Sequence, residues 1–266
     1  MHKLVLSLVA CLLLAAPTTA SAATGTAKGV DPDASAKTGG DTRTLVVGAD
    51  IFIGDVVKTG PSGQVQIKFS DNTELVVGPR SSLTIEDYLL REDGSAGKLV
   101  VDTLAGTFRF VTGNAPKDRY LIKTPTGTIG VRGTAFDWAN TDTGTAVMLY
   151  HGAVVVCATG GKCVTLDDVC DVAEYNTTDA AVIGHFDTIK GDARAIYKAL
   201  FRYAVNQSPL LREFRINGAE RCVNRTATEG GPGALSDPLP GQPGNGGRPD
   251  RGGNNSFVVN NNNALR

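Results

Sequence analysis

The sequence predicts a mainly β protein, with many short strands forming a solenoid-like stack or a sandwich and a small helical segment near the C-terminus. Three observations carry this. Runs of Val, Ile, Leu and Thr of strand length follow one another from Thr44 to Val164. Gly, Pro, Asn and Asp punctuate them at short intervals, and within them apolar and polar residues alternate. No helical pattern separates the runs, which excludes the classes built from strand–helix–strand crossovers.

At the N-terminus, Met1-His2-Lys3 supplies a charged start, Leu4 to Ala16 an apolar stretch, and Ala20-Ser21-Ala22 a small-residue cleavage pattern. Residues 1–22 therefore read as a secretory signal peptide. The apolar run is about a dozen residues, short of the roughly 20 needed to span a bilayer. No later segment is apolar enough to span one, so no integral membrane span is expected after cleavage. Leu8-Val9-Ala10-Cys11 resembles a lipoprotein cleavage box, but the apolar run continues through Leu12 to Ala16, and Cys11 is expected to leave with the signal peptide. An exported protein of the periplasm or the extracellular space follows.

Residues 23–43 are small and polar without periodicity and are expected to form a flexible leader. Residues 44–166 form the β domain. In Val65-Gln66-Ile67-Lys68-Phe69 the apolar side chains point one way and the polar ones the other, as in a strand with one wet face. Glu74-Leu75-Val76-Val77, Leu83-Thr84-Ile85, Lys98-Leu99-Val100-Val101 and Thr107-Phe108-Arg109-Phe110-Val111 continue the series, separated by Asp71-Asn72, Gly78-Pro79, Asp93-Gly94 and Gly113-Asn114. Tyr120-Leu121-Ile122, Ala135-Phe136-Asp137-Trp138, Ala146 to Tyr150 and Ala153 to Val156 complete it.

Residues 167–225 are expected to be a disulfide-pinned segment with amphipathic helices. Ile196, Tyr197, Leu200, Phe201, Ala204 and Val205 recur at three and four over Asp192 to Val205, with Asp192 as N-cap and Arg194, Lys198 and Arg202 on a solvated opposite face. Ser208-Pro209 reads as the start of a shorter helix carrying Leu210, Leu211 and Phe214. Residues 226–266 are rich in Gly, Pro and Asn and are expected to be a disordered tail.

Four cysteines remain after cleavage, Cys157, Cys163, Cys170 and Cys222, and four cysteines allow three pairings. Their spacings match no zinc pattern, and no histidine lies at a ligand spacing, so two disulfides are expected and no metal. A hairpin loop at Thr159-Gly160-Gly161 sets Cys157 opposite Cys163, which leaves Cys170 for Cys222.

Residues 44–158 resemble the FecR-type periplasmic domain. The resemblance is carried by Leu45 to Asp50 with Gly54-Asp55-Val56-Val57-Lys58-Thr59-Gly60, by Gln66 to Thr73, by Leu75 to Leu83, and above all by Lys123-Thr124-Pro125-Thr126-Gly127-Thr128-Ile129-Gly130-Val131-Arg132-Gly133-Thr134-Ala135-Phe136. Asp71-Asn72-Thr73 stands where the family usually has Asp-Gly-Ser, and Asn tolerates the same left-handed turn. The motif residues singled out are Asp71, Asn72, Thr73, Thr124, Pro125, Arg132, Gly133, Thr134 and Phe136. The resemblance implies an all-β extracytoplasmic fold. The best-known members regulate iron-siderophore uptake and hold a sigma factor through a cytoplasmic segment. Only Met1-His2-Lys3 precede the hydrophobic run, so no such segment is expected here.

Within the motif, whose residues are structural or partner-binding, Arg132 is expected to donate to buried backbone carbonyls, with binding of an anionic ligand or partner as the alternative, and Gly133 to be required by close packing against Val131, Phe136 and Trp138. Gly127 to Gly133 lacks the spacing and the following helix of a phosphate loop. His151 and His185 stand without a nucleophile pattern, and Asp50, Asp55, Asp71, Asp93, Asp102 and Asp137 sit at turns and strand ends, where Asp bonds locally. No enzyme activity, catalytic residue or cofactor is therefore expected. A net charge of -1 and 6 % aromatic residues exclude nucleic acid as a partner.

The leading expectation is a non-catalytic exported module that binds an envelope protein or a glycan, or is structural. An accessory in extracytoplasmic signalling that works through a separate membrane partner is the alternative, and a hydrolase with an unrecognised site is the least supported. The sequence leaves the oligomeric state open.

Overall fold

Strands with one apolar face need a second apolar layer to cover it, and the computed structural model supplies that layer with another sheet. The structure describes residues 22–90 and 96–224. The chain opens with β1 (Gly25–Asp31), β2 (Ala34–Thr38), β3 (Asp41–Thr44) and β4 (Asp50–Ile51). It continues with β5 (Val56–Thr59), β6 (Gln64–Phe69), β7 (Glu74–Val77), β8 (Ser82–Leu90) and the sixteen-residue β9 (Ala96–Val111). β10 (Tyr120–Thr124), β11 (Gly127–Val131), β12 (Ala135–Asn140), β13 (Thr145–His151), β14 (Val154–Ala158), β15 (Cys163–Leu166), β16 (Asp171–Tyr175) and β17 (Ala180–His185) follow.

These seventeen strands form one continuous hydrogen-bonded network folded into two layers. The first layer runs β4-β1-β6-β7-β9-β12-β13-β16-β17. The second runs β3-β2-β5-β8-β9-β10-β11-β14-β15. β9 belongs to both: its first half pairs with β8 and β10, and its second half with β7 and β12. Gly106, at φ 104°, sits where β9 passes from one layer to the other. All pairs are antiparallel except β9–β10.

From β10 onward, hairpins alternate between the layers. β10–β11 lies in the second, β12–β13 in the first, β14–β15 in the second and β16–β17 in the first. Each hairpin pairs with the one before it in its own layer. The inward faces meet in one core, where Phe108 stacks on Trp138 at 4.8 Å between ring centres and Phe136 lies 5.5 Å from Trp138.

The outward face of the first layer is covered by α1 (Gly191–Leu200), α2 (Arg202–Val205) and α3 (Ala219–Asn224). Tyr197, Phe201, Ala204 and Val223 of this cap pack on Ala146, Met148, Tyr150 and Val172 of the sheet.

Several expectations are corrected. Residues 23–43 are not a flexible leader but carry β1, β2 and most of β3. Their inward residues are small, with Ala27, Ala34 and Ala36 buried, so no large apolar period announces them. Residues 167–225 are not only helical, since β16 and β17 extend the first layer. The helix expected over 192–205 breaks at Phe201, whose φ of -94° and ψ of 53° leave the helical region. Lys190 occupies the N-cap, and Asp192 lies in the first turn. No α-helix starts at Ser208-Pro209; a single 3-10 turn over Arg212–Phe214 buries Phe214. Val205 and Leu211 are exposed rather than packed. Arg194 is not on a solvated face, because its guanidinium donates to the carbonyls of Phe186 and Val223 at 2.8 and 3.1 Å. The signal peptide and the tail lie outside the described residues, apart from Ala22 at the expected cleavage point.

Candidate functional site

The two-layer topology places the motif residues at opposite ends of the strands. Glu74, Val111, Ala135 and His151 form one row across β7, β9, β12 and β13. Beyond that row lie the 70–73 turn, the 112–116 loop, the 132–134 loop and the 152–153 turn, so Asp71, Asn72, Thr73, Arg132, Gly133 and Thr134 gather on one rim. Thr124 and Pro125 sit on the other, where the Thr124 hydroxyl meets the Tyr175 hydroxyl at 2.9 Å.

Asp71 is the buried hub of the first rim. Its carboxylate accepts from the Thr73 N–H at 3.0 Å, the Thr73 hydroxyl at 2.7 Å and the Tyr120 hydroxyl at 2.8 Å. Its own N–H donates to the Tyr88 hydroxyl at 2.8 Å. Burial, with the Asp71 carboxylate close by, pushes both Tyr88 and Tyr120 up to about 12. Asn72, exposed at φ 67°, supplies the left-handed turn residue. The Thr73 hydroxyl in turn accepts from the Gly113 N–H at 3.2 Å. This arrangement fixes the turn through the Asp71 carboxylate.

The neighbouring loop is held as firmly. Thr112 and Thr134 exchange two bonds, the Thr112 N–H to the Thr134 carbonyl and the Thr134 N–H to the Thr112 hydroxyl, each at 3.0 Å. Gly152 packs so close that a Cβ on it would lie 2.1 Å from the Gly133 carbonyl oxygen. Gly133 itself adopts φ 71°, a backbone conformation that favours glycine there. Phe136 is fully buried in the core.

Arg132 departs from expectation. Its N–H donates to the Ala153 carbonyl at 3.1 Å, but its side chain is exposed and makes no hydrogen bond or ion pair among the described residues. The strand alternation that turns Val131 inward turns Arg132 outward. The motif therefore presents one unengaged guanidinium on a rigid turn.

A second polar node was not legible in the sequence. Arg109 and Asp137, adjacent on β9 and β12, are buried on the outward face of the first layer beneath the cap. Arg109 donates through Nε and Nη2 to the two oxygens of Asp137 at 2.7 and 3.0 Å, and through Nη1 to Gln207 of the cap. The Tyr150 hydroxyl donates to Asp137 at 2.8 Å. Burial opposes the Arg109 charge, but Asp137 outweighs it and holds the guanidinium above its ordinary range. Burial and Asp137 drive the Tyr150 phenol well up. Gln207 relays the node to the cap backbone by accepting from the Ile216 N–H at 2.8 Å and donating to the Ile216 carbonyl at 3.0 Å.

A third carboxylate, Asp55, is held by Arg43, the Thr38 hydroxyl and the Phe52 N–H. His185 Nδ1 lies 2.6 Å from an Asp187 carboxylate oxygen. No group of three or more potential metal ligands occurs among the described residues. Cys157 bonds Cys163 across the β14–β15 hairpin, and Cys170 at the start of β16 bonds Cys222 of α3.

Fold and rim together define a two-layer β domain with a pinned helical cap and a motif spent mainly on its own turns. Residues 55–155 match the family model described as FecR protein. The matched stretch runs from the start of β5 into β14, so β1–β4, β15–β17 and the cap flank it.

Two crystal structures, at 1.65 and 2.50 Å resolution, of a protein from Parabacteroides distasonis ATCC 8503 provisionally described as an anti-sigma factor are similar to this chain. They share 15 % and 16 % identity with it, each at a TM-score of 0.40. The alignments cover 55 % and 57 % of this chain, and it spans 64 % of the length of theirs. No curated protein matches the sequence.

Proposed function

We propose that this chain is an exported, non-catalytic binding module, and that its motif rim presents Arg132 to an envelope protein or a charged glycan. One observation carries the reading: Arg132 is the exposed, unengaged charge of a turn whose other members are consumed in holding it rigid. A guanidinium offers a planar fork of donors suited to carboxylate, phosphate or sulfate. The two disulfides and the signal-peptide pattern of residues 1–22 support an oxidising compartment.

A pull-down from native periplasm with wild type and Arg132→Ala tests this. Loss of a partner from the variant, with its melting temperature unchanged, is the expected result. An identical set of partners would discard the rim as the binding surface. The FecR match favours a second reading, an accessory in extracytoplasmic signalling that acts through a separate membrane partner. Recovery of an inner-membrane regulator when the pull-down is repeated from detergent-solubilised envelope would support that reading.

A further inference from the structure

The helical cap carries a charge that the rest of the chain does not. Residues 190–224 hold seven Lys or Arg against three Asp or Glu, whereas residues 22–189 hold fourteen against twenty-one. Of the three acids, Glu213 is already paired with Lys68 of β6 at 2.8 Å. Arg202, Arg212 and Arg221 are exposed and make no ion pair among the described residues.

Two of these arginines share one place. Tyr203, Leu210 and Phe214 form a buried cluster with Val76 of β7. Arg202 and Val205 flank Tyr203 on α2, and Leu211 and Arg212 directly follow Leu210, so the backbone that carries all four is held by this one cluster, with the Arg202 guanidinium 5.9 Å from the centre of the Tyr203 ring. Val205 and Leu211 are 41 % and 42 % exposed, large apolar side chains left in water beside the charges. Arginine interleaved with exposed apolar groups is the composition of a protein interface, which enriches Arg and depletes Lys. A bilayer surface would need a continuous apolar helix face, and here Tyr197, Phe201 and Ala204 are turned into the sheet.

We propose that the outer surface of the cap, centred on Arg202, Val205, Leu211 and Arg212, docks an acidic protein segment whose carboxylates flank an apolar side chain. Charge complementarity selects the acid, and the two exposed aliphatic side chains select the apolar residue between them. This surface is distinct from the Arg132 loop, and its test is independent of that one.

The probe is a fluorescent peptide of about ten residues alternating Glu and Leu, titrated by anisotropy into the chain from Ala23 onward. A Gln/Leu peptide and phosphatidylglycerol vesicles are measured in parallel. Binding of the acidic peptide that weakens at least about tenfold in Arg202→Glu/Arg212→Glu, and weakens between about 0.05 and 0.3 M salt, is the expected result. Lys37→Glu/Lys58→Glu on the second layer should bind as wild type does. Equal affinity for the Gln/Leu peptide, or tighter binding to the vesicles, overturns the proposal. So does self-association in sedimentation that the double reversal abolishes, since the occupant would then be a second copy. Arg202→Gln/Arg212→Gln, which removes charge without reversing it, must show an intermediate loss at unchanged melting temperature; loss arising only with unfolding also overturns it.

Discussion

Arg109 and Asp137 form an ion pair buried beneath the cap, and the cost of desolvating it is offset by their mutual bonds and by Gln207 and Tyr150. Removing one partner strands the other. Asp137→Ala is expected to destabilise by about 3–5 kcal/mol in urea unfolding, while the double change Arg109→Met/Asp137→Leu should recover most of that loss. At Gly133 the φ of 71° makes Gly133→Val costly, by about 1–3 kcal/mol, whereas Arg132→Ala should melt as wild type does. Paired thermal melts of the two variants decide between a scaffold role and a presenting role within three consecutive residues.

Two other carboxylates set opposite pH trends. Burial raises and the Arg43, Thr38 and Phe52 contacts lower the Asp55 pKa, with a net lowering. Its contribution is therefore present above the unfolded carboxylate pKa and is lost as pH falls through the lower folded value. Glu174 on β16 is raised by burial beneath the cap, against a hydrogen bond from Tyr197 that lowers it. Its charge opposes folding at neutral pH, and the penalty disappears as pH falls through the raised value. Glu174→Gln should stabilise the protein at pH 7 and make no difference well below pH 4. Urea titrations at both pH values check the sign, and a gain that persisted in acid would contradict it.

At the scale of elements, the two disulfides close loops of different size. Cys157 and Cys163 are 6 residues apart, Cys170 and Cys222 52. Loop-closure entropy assigns about 2 kcal/mol to the first and about 4 kcal/mol to the second. Replacing the second pair by Ala should therefore lower the urea midpoint more, and should free the cap for proteolysis before the sheets. Peptide mapping without reduction must also recover these two pairings.

The strands from β6 to β14 were legible because large residues alternate in them, as in Val65, Ile67 and Phe69 or Phe108 and Phe110. β1 and β2 were not, because their inward positions are Ala and Gly, a period invisible to hydropathy. Arg109 and Asp137 looked like strand and turn residues because their partnership spans 28 positions and exists only once β9 lies beside β12. The two readings of Arg132 could not be separated in the sequence for a related reason: its burial depends on which face the neighbouring strand turns inward.

At the scale of the whole molecule, the alternation of hairpins between layers has a consequence for how such a chain lengthens. A single added strand would shift every later strand to the wrong layer and turn its apolar residues toward water. A single added hairpin would exchange the layers of all that follow, and the helical cap would lose the face it covers. Two hairpins added together, one to each layer, disturb neither register nor cap. Length in this architecture is thus quantised in hairpin pairs, and relatives of different size are expected to differ by whole pairs inserted between the β9 crossing and the Cys170–Cys222 tether.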